Sequence, residues 1–138
     1  MPLTQLAHYS IRCSDLEASR RFYREVLGLR EGSRPPFDFP GAWLYLGDDE
    51  ASFGVVHLIG EDAGARAYLG ERTAGEGTGA FDHVAFFAAG WLEQKARLSA
   101  HGVAHVARVV PGLGLFQVFV VDPSGVTVEL NYPAAEAL

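Results

Sequence analysis

The 138-residue sequence predicts an α+β fold made of two similar halves, each with a strand, a helix and then several strands. The segment around His8 matches the segment around His83 at an offset of 75 residues, and each reads as a short strand before a helical pattern. A second match, at an offset of 72 residues, places His57 over Glu129. Two matches at nearly the same offset indicate an internal repeat. The length suits one domain.

The composition excludes several classes of protein. Hydrophobic residues make up 49% of the chain and charged residues 20%, which argues against disorder. A single cysteine excludes an internal disulfide. The net charge of −6 disfavours a nucleic-acid-binding surface. No run of about 18 apolar residues and no signal peptide is visible. We therefore expect a soluble, cytoplasmic protein with no nucleic-acid or membrane partner.

The first half shows the local signals of a helix followed by strands. Ser14 and Glu17 have the spacing of a capping box, which predicts that Ser14 is the N-cap of a helix. Gly28 is placed to end that helix in a left-handed conformation. After a proline-rich loop, residues 42–46 and 53–59 read as strands separated by turn residues.

The second half shows the same succession. Residues 91–100 read as a helix that ends at Gly102. Residues 103–110, 115–121 and 126–131 read as strands, with a turn at residues 122–125 between the last two.

A glycine-rich segment, residues 60–80, separates the halves and contains six glycines. We interpret it as a linker between a first module at about residues 4–60 and a second at about 81–132. A mobile segment over a site, or an arm to another subunit, is the functional alternative.

Four segments carry a resemblance to a known family: LAH at 6–8, FYREVLGL at 22–29, FDHVAF at 81–86 and FVVDPSGVTVEL at 119–130. Together they resemble the vicinal oxygen chelate superfamily, which includes glyoxalase I, fosfomycin-resistance transferases, extradiol dioxygenases and bleomycin-binding proteins. The resemblance covers essentially the whole chain. It implies two βαβββ modules that form a cupped mixed sheet of about eight strands with the helices outside, and it implies a homodimer. Whether one cup takes its modules from one chain or from two stays open.

The resemblance also implies a metal site. Carried over residue by residue, the family's ligands are His8 and His57 in the first module and His83 and Glu129 in the second. They suit one divalent ion, Zn, Fe, Mn, Ni or Co. In glyoxalase I the position of His57 is usually a carboxylate. The three ligands of the dioxygenases are here His8, His83 and Glu129, and His57 is then either a fourth ligand or a proton acceptor.

The implied function is that of a metal-dependent lyase, isomerase or ring-cleaving dioxygenase. Its small substrate, aromatic or α-oxo, chelates the metal through two neighbouring oxygens. In an isomerisation, Glu129 or His57 is the catalytic residue that moves the proton. The alternative is a non-catalytic protein that binds a small molecule or an antibiotic and confers resistance.

Strand alternation suggests which side chains meet the substrate. Thr127, Glu129 and Asn131 share one face of the last strand. Trp43 and Tyr45 share a face of theirs, and Arg12 shares a face with His8, where it meets an anionic group or forms a salt bridge. The candidate substrate-binding residues are Arg12, Trp43, Tyr45, Phe53, Phe87 and Gln117.

Overall fold

Both halves of the chain fold into the same succession of elements, a strand, a helix and three further strands. The computed structural model describes residues 3, 5–48, 54–71, 77–110 and 112–137. The chain divides into two compact units, Met1–Gly75 and Glu76–Leu138, and each contains one four-stranded mixed sheet. The predicted α+β fold with two βαβββ modules and eight strands is therefore confirmed. Within the described segments, no helix is long and apolar enough to cross a membrane.

The first unit is built around a four-stranded sheet in which the first and last strands of the module are the parallel pair. Its elements are β1 (Tyr9–Cys13), α1 (Leu16–Arg21), β2 (Arg30–Gly32), β3 (Gly41–Tyr45), β4 (Val56–Gly60) and α2 (Ala63–Leu69). The strand order is β1-β4-β3-β2, with β1 and β4 parallel and the other pairs antiparallel. α1 continues directly into a π-helical turn over Phe22–Val26.

The second unit repeats this arrangement. Its elements are β5 (His83–Phe87), α3 (Trp91–Ala100), β6 (Val106–Val110), β7 (Leu115–Val121) and β8 (Thr127–Pro133), and a 3-10 turn (Ala134–Glu136) follows. The strand order is β5-β8-β7-β6, and β5 and β8 are the parallel pair. In both units, therefore, the first and last strands of the module are neighbours.

The start of α1 differs from the prediction by one residue. Asp15, not Ser14, is the N-cap, and its carboxylate accepts a hydrogen bond of 3.0 Å from the Ala18 amide. A carboxylate at this position also meets the partial positive charge of the helix N-terminus, which a serine does not match. Gly28 has the predicted left-handed conformation, with φ of 79°, at the end of the helical segment.

Two elements of the first unit were not predicted. β2 has only three residues, too few to show alternation. α2 lies inside the segment interpreted as a linker. The Asp62 side chain caps it by accepting from the Ala65 amide at 2.8 Å, and it ends at Gly70, whose φ is 99°.

Each sheet carries its own apolar core. In the first unit the helical segment buries Phe22, Tyr23 and Val26, while the strands bury residues such as Leu44 and Leu58. Full burial of one such side chain stabilises the fold by about 1.5–3 kcal/mol. These cores hold the neighbouring strands, and therefore the polar side chains on them, in a fixed register.

The second core is centred on Trp91. Its ring lies 5.3 Å from the Phe116 ring and 5.5 Å from the Tyr132 ring, measured between centroids. The predicted turn before β8 is confirmed. The Asp122 carboxylate accepts hydrogen bonds from the Ser124 and Val126 amides at 2.9 and 2.8 Å.

Candidate functional site

The first unit brings its two candidate metal ligands into contact. His57 lies on β4, and His8 lies one residue before β1, the strand that pairs with β4 in parallel. The two imidazole rings stack with centroids 3.8 Å apart and an interplanar angle of 17°. Trp43 on the other neighbouring strand, β3, stacks on His57 at 3.8 Å and 5°. The His57 ring therefore lies between two other flat rings.

This sandwich leaves His57 neutral at neutral pH. Burial, the neighbouring His8 and the Arg34 charge lower the pKa of His57 to about 4, against a hydrogen bond with the Gly54 backbone that raises it. Only 8% of the residue is exposed. Its Nε2 is buried and has no hydrogen-bond partner among the described residues. That atom is available as a metal ligand or as an acceptor from a bound molecule.

A cavity of about 260 Å³ opens beside the two histidines. We call it the aromatic cavity, because its walls are largely rings: Phe37, Phe39, Trp43 and Tyr68, together with His8 and His57. Arg34 also lines the cavity. Burial lowers the pKa of Arg34 below its usual value.

The second unit brings the other two candidate ligands together. His83 begins β5, and Glu129 lies on the adjacent parallel strand β8. His83 Nε2 is 3.8 Å from Glu129 Oε1. On its other side, His83 Nδ1 donates a hydrogen bond of 2.8 Å to the Asp82 carboxylate. This bond orients the ring and directs Nε2 toward Glu129, as is usual for histidines that bind metals.

A chain of hydrogen bonds holds the carboxylate of Glu129, a residue that is only 7% exposed. Asn131 Nδ2 donates to Glu129 Oε2 at 2.9 Å, and Gln117 Nε2 donates to Asn131 Oδ1 at 2.9 Å. Arg108 Nε in turn donates to Gln117 Oε1 at 3.0 Å. The chain fixes one carboxylate oxygen and leaves Oε1 on the side of His83.

The predicted substrate-binding residues are scattered. Trp43 lines the aromatic cavity, and Gln117 belongs to the series of hydrogen bonds that holds Glu129. Arg12 donates to the Gly70 carbonyl at 3.2 Å instead of lining the cavity. Tyr45 is buried, with its hydroxyl on the Ser33 carbonyl at 2.6 Å. Phe87 is 87% exposed.

The remaining candidate, Phe53, lies outside the described residues. Sequence reasoning did not assign a role to Asp82 or Tyr68. Asp82 precedes the first residue of β5, so strand alternation does not govern its side chain. Tyr68 lies on α2, the helix that was not predicted.

The four candidate ligands form two pairs, one in each unit. Among the described residues, no group of three or more histidine, cysteine, aspartate or glutamate side chains is close enough to hold a metal ion. The spacing within the pairs follows the same register in both units. Ser10 pairs with His57 and follows His8 by two positions, and Ala85 pairs with Glu129 and follows His83 by two positions.

Comparisons with known proteins agree with this repeated topology. The model of the Glyoxalase/Bleomycin resistance protein/Dioxygenase superfamily matches residues 5–130. Glyoxylase I 4 of Arabidopsis thaliana is 30% identical over 132 residues, which cover 93% of this chain and 70% of that protein.

Two solved structures are similar along nearly their whole length. The trypanothione-dependent glyoxalase I of Leishmania major is 26% identical, with a TM-score of 0.66, and the match covers 98% of this chain and 91% of that one. TnmS3, an antibiotic-binding protein from Streptomyces sp. CB03234, is 22% identical, with a TM-score of 0.61, and the match covers 96% and 98%. The resemblance seen in the sequence is confirmed: the chain belongs to the glyoxalase/bleomycin resistance protein/dioxygenase superfamily.

Proposed function

We propose that this protein is a divalent-metal enzyme of the glyoxalase or dioxygenase type, which binds a small substrate through two neighbouring oxygens. The arrangement of His83 and Glu129 is the observation that carries the proposal. Two unlike donors, an imidazole and a carboxylate, face each other, and each is held from behind by a polar partner. A purely structural ion pair does not need both outer partners, whereas a metal site typically has them.

The residues present fit such an ion. The 3.8 Å between His83 Nε2 and Glu129 Oε1 is too long for a hydrogen bond. It is close to the separation of about 3.4 Å expected for two ligands that each lie about 2.1 Å from a tetrahedral ion. His57 Nε2 is a buried nitrogen that finds no hydrogen-bond partner among the described residues, so its lone pair is free to bind an ion. His8, His57, His83 and Glu129 are the proposed ligands, whether the two modules of a site come from one chain or from two.

The chain's own residues prepare the chemistry. A bound divalent ion supplies Lewis acidity, which stabilises negative charge on the substrate's neighbouring oxygens. Asp82 and Asn131 hold the His83 ring and the Glu129 carboxylate in fixed orientations. The rings of His8 and Trp43 hold the His57 ring between them, and its Nε2 is buried. In an isomerisation, the proton acceptor depends on whether His57 binds the ion. His57 has one available nitrogen, Nε2, so it accepts the proton when it is not a ligand. When His57 is a ligand, Glu129 accepts the proton.

Metal content tests the proposal. Purified tag-free protein is stripped with a chelator, reloaded with each of Zn, Fe(II), Mn, Ni and Co in turn, desalted and analysed by plasma mass spectrometry. We expect about one ion per site, lost in His83→Ala and Glu129→Ala and weakened in His8→Ala. His101→Ala is the matched control, because His101 closes α3 through its backbone and lies in neither pair. An absence of bound metal with every ion refutes the proposal.

The bound ion then selects the assay. Oxygen uptake with catechols tests the dioxygenase reaction, and absorbance change with thiohemiacetals tests the isomerase reaction. Activity in either assay that disappears in Glu129→Ala supports the enzyme.

One observation favours a second function, non-catalytic binding of a small molecule such as an antibiotic. All the described residues that line the aromatic cavity belong to the first unit, so the cavity can hold a ligand without His83 or Glu129. If the purified protein binds no metal ion but does bind flat aromatic molecules, the second function is supported.

A further inference from the structure

The aromatic cavity has the walls of a site for a flat ring. The Phe37 and Phe39 rings stack at 5.1 Å, and the Tyr68 ring lies 5.2 and 5.6 Å from them. Trp43 and His57 form a second flat stack. Aromatic faces prefer other flat rings as neighbours, in stacked or edge-on contacts worth about 0.5–1.5 kcal/mol beyond the burial of area.

The cavity is large enough for one ring with a substituent. A cavity of roughly 150 Å³ suffices to bind benzene in an engineered protein. The 260 Å³ found here holds one such ring and a further group.

Arg34 determines the charge of that group. Its guanidinium lies 5.1 and 5.0 Å from the centres of the Phe37 and Phe39 rings, and its Nη2 donates to the Phe39 carbonyl at 2.8 Å. Arg34 Nε is buried and has no hydrogen-bond partner among the described residues. None of the described residues that line the cavity is an aspartate or a glutamate. An arginine in a largely apolar wall, with no carboxylate partner in the part of the chain that the structure describes, can bind an anion from the ligand.

We propose that the aromatic cavity binds a planar aromatic anion, with the ring between the aromatic walls and the anionic oxygens on Arg34. This inference rests on the proposed function, because His8 and His57 of the cavity are proposed metal ligands, and it names the class of substrate. It also assigns to Arg34 the anion-binding role that strand alternation suggested for Arg12, whose guanidinium instead donates to the Gly70 carbonyl.

Binding of four small probes to metal-free protein tests the proposal. Benzoate has the ring and a carboxylate, phenyl phosphate has the ring and a phosphate, benzamide has the ring without charge, and cyclohexanecarboxylate has the charge without an aromatic ring. Dissociation constants come from chemical-shift titrations or from Trp43 fluorescence in a Trp91→Phe background. We expect benzoate to bind at least tenfold more tightly than benzamide and than cyclohexanecarboxylate. The comparison with phenyl phosphate shows which anionic group the cavity prefers.

The variants separate the two parts of the site. In Arg34→Gln the ratio of the benzamide to the benzoate dissociation constant should fall to near one. In Arg34→Lys part of the preference for benzoate should remain. Tyr68→Leu should weaken benzoate and benzamide by the same factor. Arg12→Gln is the matched control and should leave the ratio unchanged. Because the ratio is measured within one variant, a general loosening of the 33–40 loop does not mimic loss of the anion contact.

Three results overturn the inference: equal binding of benzoate and benzamide by the wild type, a preference for benzoate that survives in Arg34→Gln, or no binding of any probe. Failure of the proposed function is distinguishable, because benzoate binding is measured without metal and should persist in Glu129→Ala. Metal binding without benzoate binding overturns only the present inference. Benzoate binding without metal binding overturns only the proposed enzyme.

Discussion

Replacing Asn131 with leucine should weaken metal binding by removing the donor that holds Glu129. The Asn131 side-chain amide donates a hydrogen bond of 2.9 Å to Glu129 Oε2, and Glu129 is almost fully buried. A hydrogen bond to a charged group contributes about 1.5–3 kcal/mol. Loss of such an outer partner typically lowers metal affinity by about 10–100-fold, or roughly 1.4–2.7 kcal/mol, which agrees with that range. We therefore expect a fall of this size in affinity for zinc, measured by competition with a chromophoric chelator.

A control one step along the chain sharpens this prediction. Gln117→Leu removes the donor to Asn131 but leaves Asn131 on Glu129, so its effect on zinc affinity should stay below about fivefold, the value of one neutral hydrogen bond. The metal-free protein gives an independent readout. In a double-mutant cycle of Asn131→Leu with Glu129→Gln, the coupling in the free energy of unfolding should be at least about 1 kcal/mol. Unchanged zinc affinity together with zero coupling would refute the argument that Asn131 positions the carboxylate.

Three further predictions concern the outer partner of His83, the cap of α1 and the second core. Asp82→Ala should lower zinc affinity by up to about tenfold, measured by the same competition, since the exposed Asp82 carboxylate orients the ring through one hydrogen bond. Asp15→Ala should lower the free energy of unfolding by about 0.5–2 kcal/mol in urea, whereas Ser14→Ala should change it by less than about 0.5 kcal/mol; the reverse order would restore Ser14 as the cap. Burial raises the pKa of Tyr132 to about 12. Unfolded tyrosine loses its proton near pH 10, so the free energy of unfolding should fall by up to about 2.7 kcal/mol between roughly pH 10 and 12, and a Tyr132→Phe protein that shows the same fall contradicts this.

Local signals in the sequence were sufficient where an element depends on its own residues. The helix Trp91–Ala100 and the strand Leu115–Val121 have the predicted bounds, because each shows a clear periodicity and ends at turn residues. The three-residue β2 has no such signal, since its place depends on pairing with β3. The helix α2 was hidden by the glycines around it, although its Ala-rich interior favours a helix.

The candidate site was predictable only in part, because part of it depends on contacts between residues that are distant in sequence. The repeat pointed to His8, His57, His83 and Glu129, and the structure forms the two pairs because the first and last strands of each module are parallel neighbours. The aromatic cavity depends instead on contacts between a loop, a strand and α2 that are distant in sequence. No periodicity in the sequence reveals such contacts, so Tyr68 and Arg34 were not among the candidate site residues.

The two modules differ in the length of one loop, and the longer loop supplies part of the wall of the aromatic cavity. Between β2 and β3 the chain runs through residues 33–40, which carry Arg34, Phe37 and Phe39. The equivalent connection between β6 and β7, residues 111–114, is half as long and has no aromatic or charged side chain. The paired strands keep the same register for the candidate ligands in both modules, so the longer loop alters the surroundings of His57 without moving it along its strand. A constant ligand scaffold with one variable loop is the arrangement by which a single fold serves many substrates. Selectivity for the substrate should therefore change with substitutions in residues 33–40, while metal affinity should depend on β8 and its hydrogen-bonded chain.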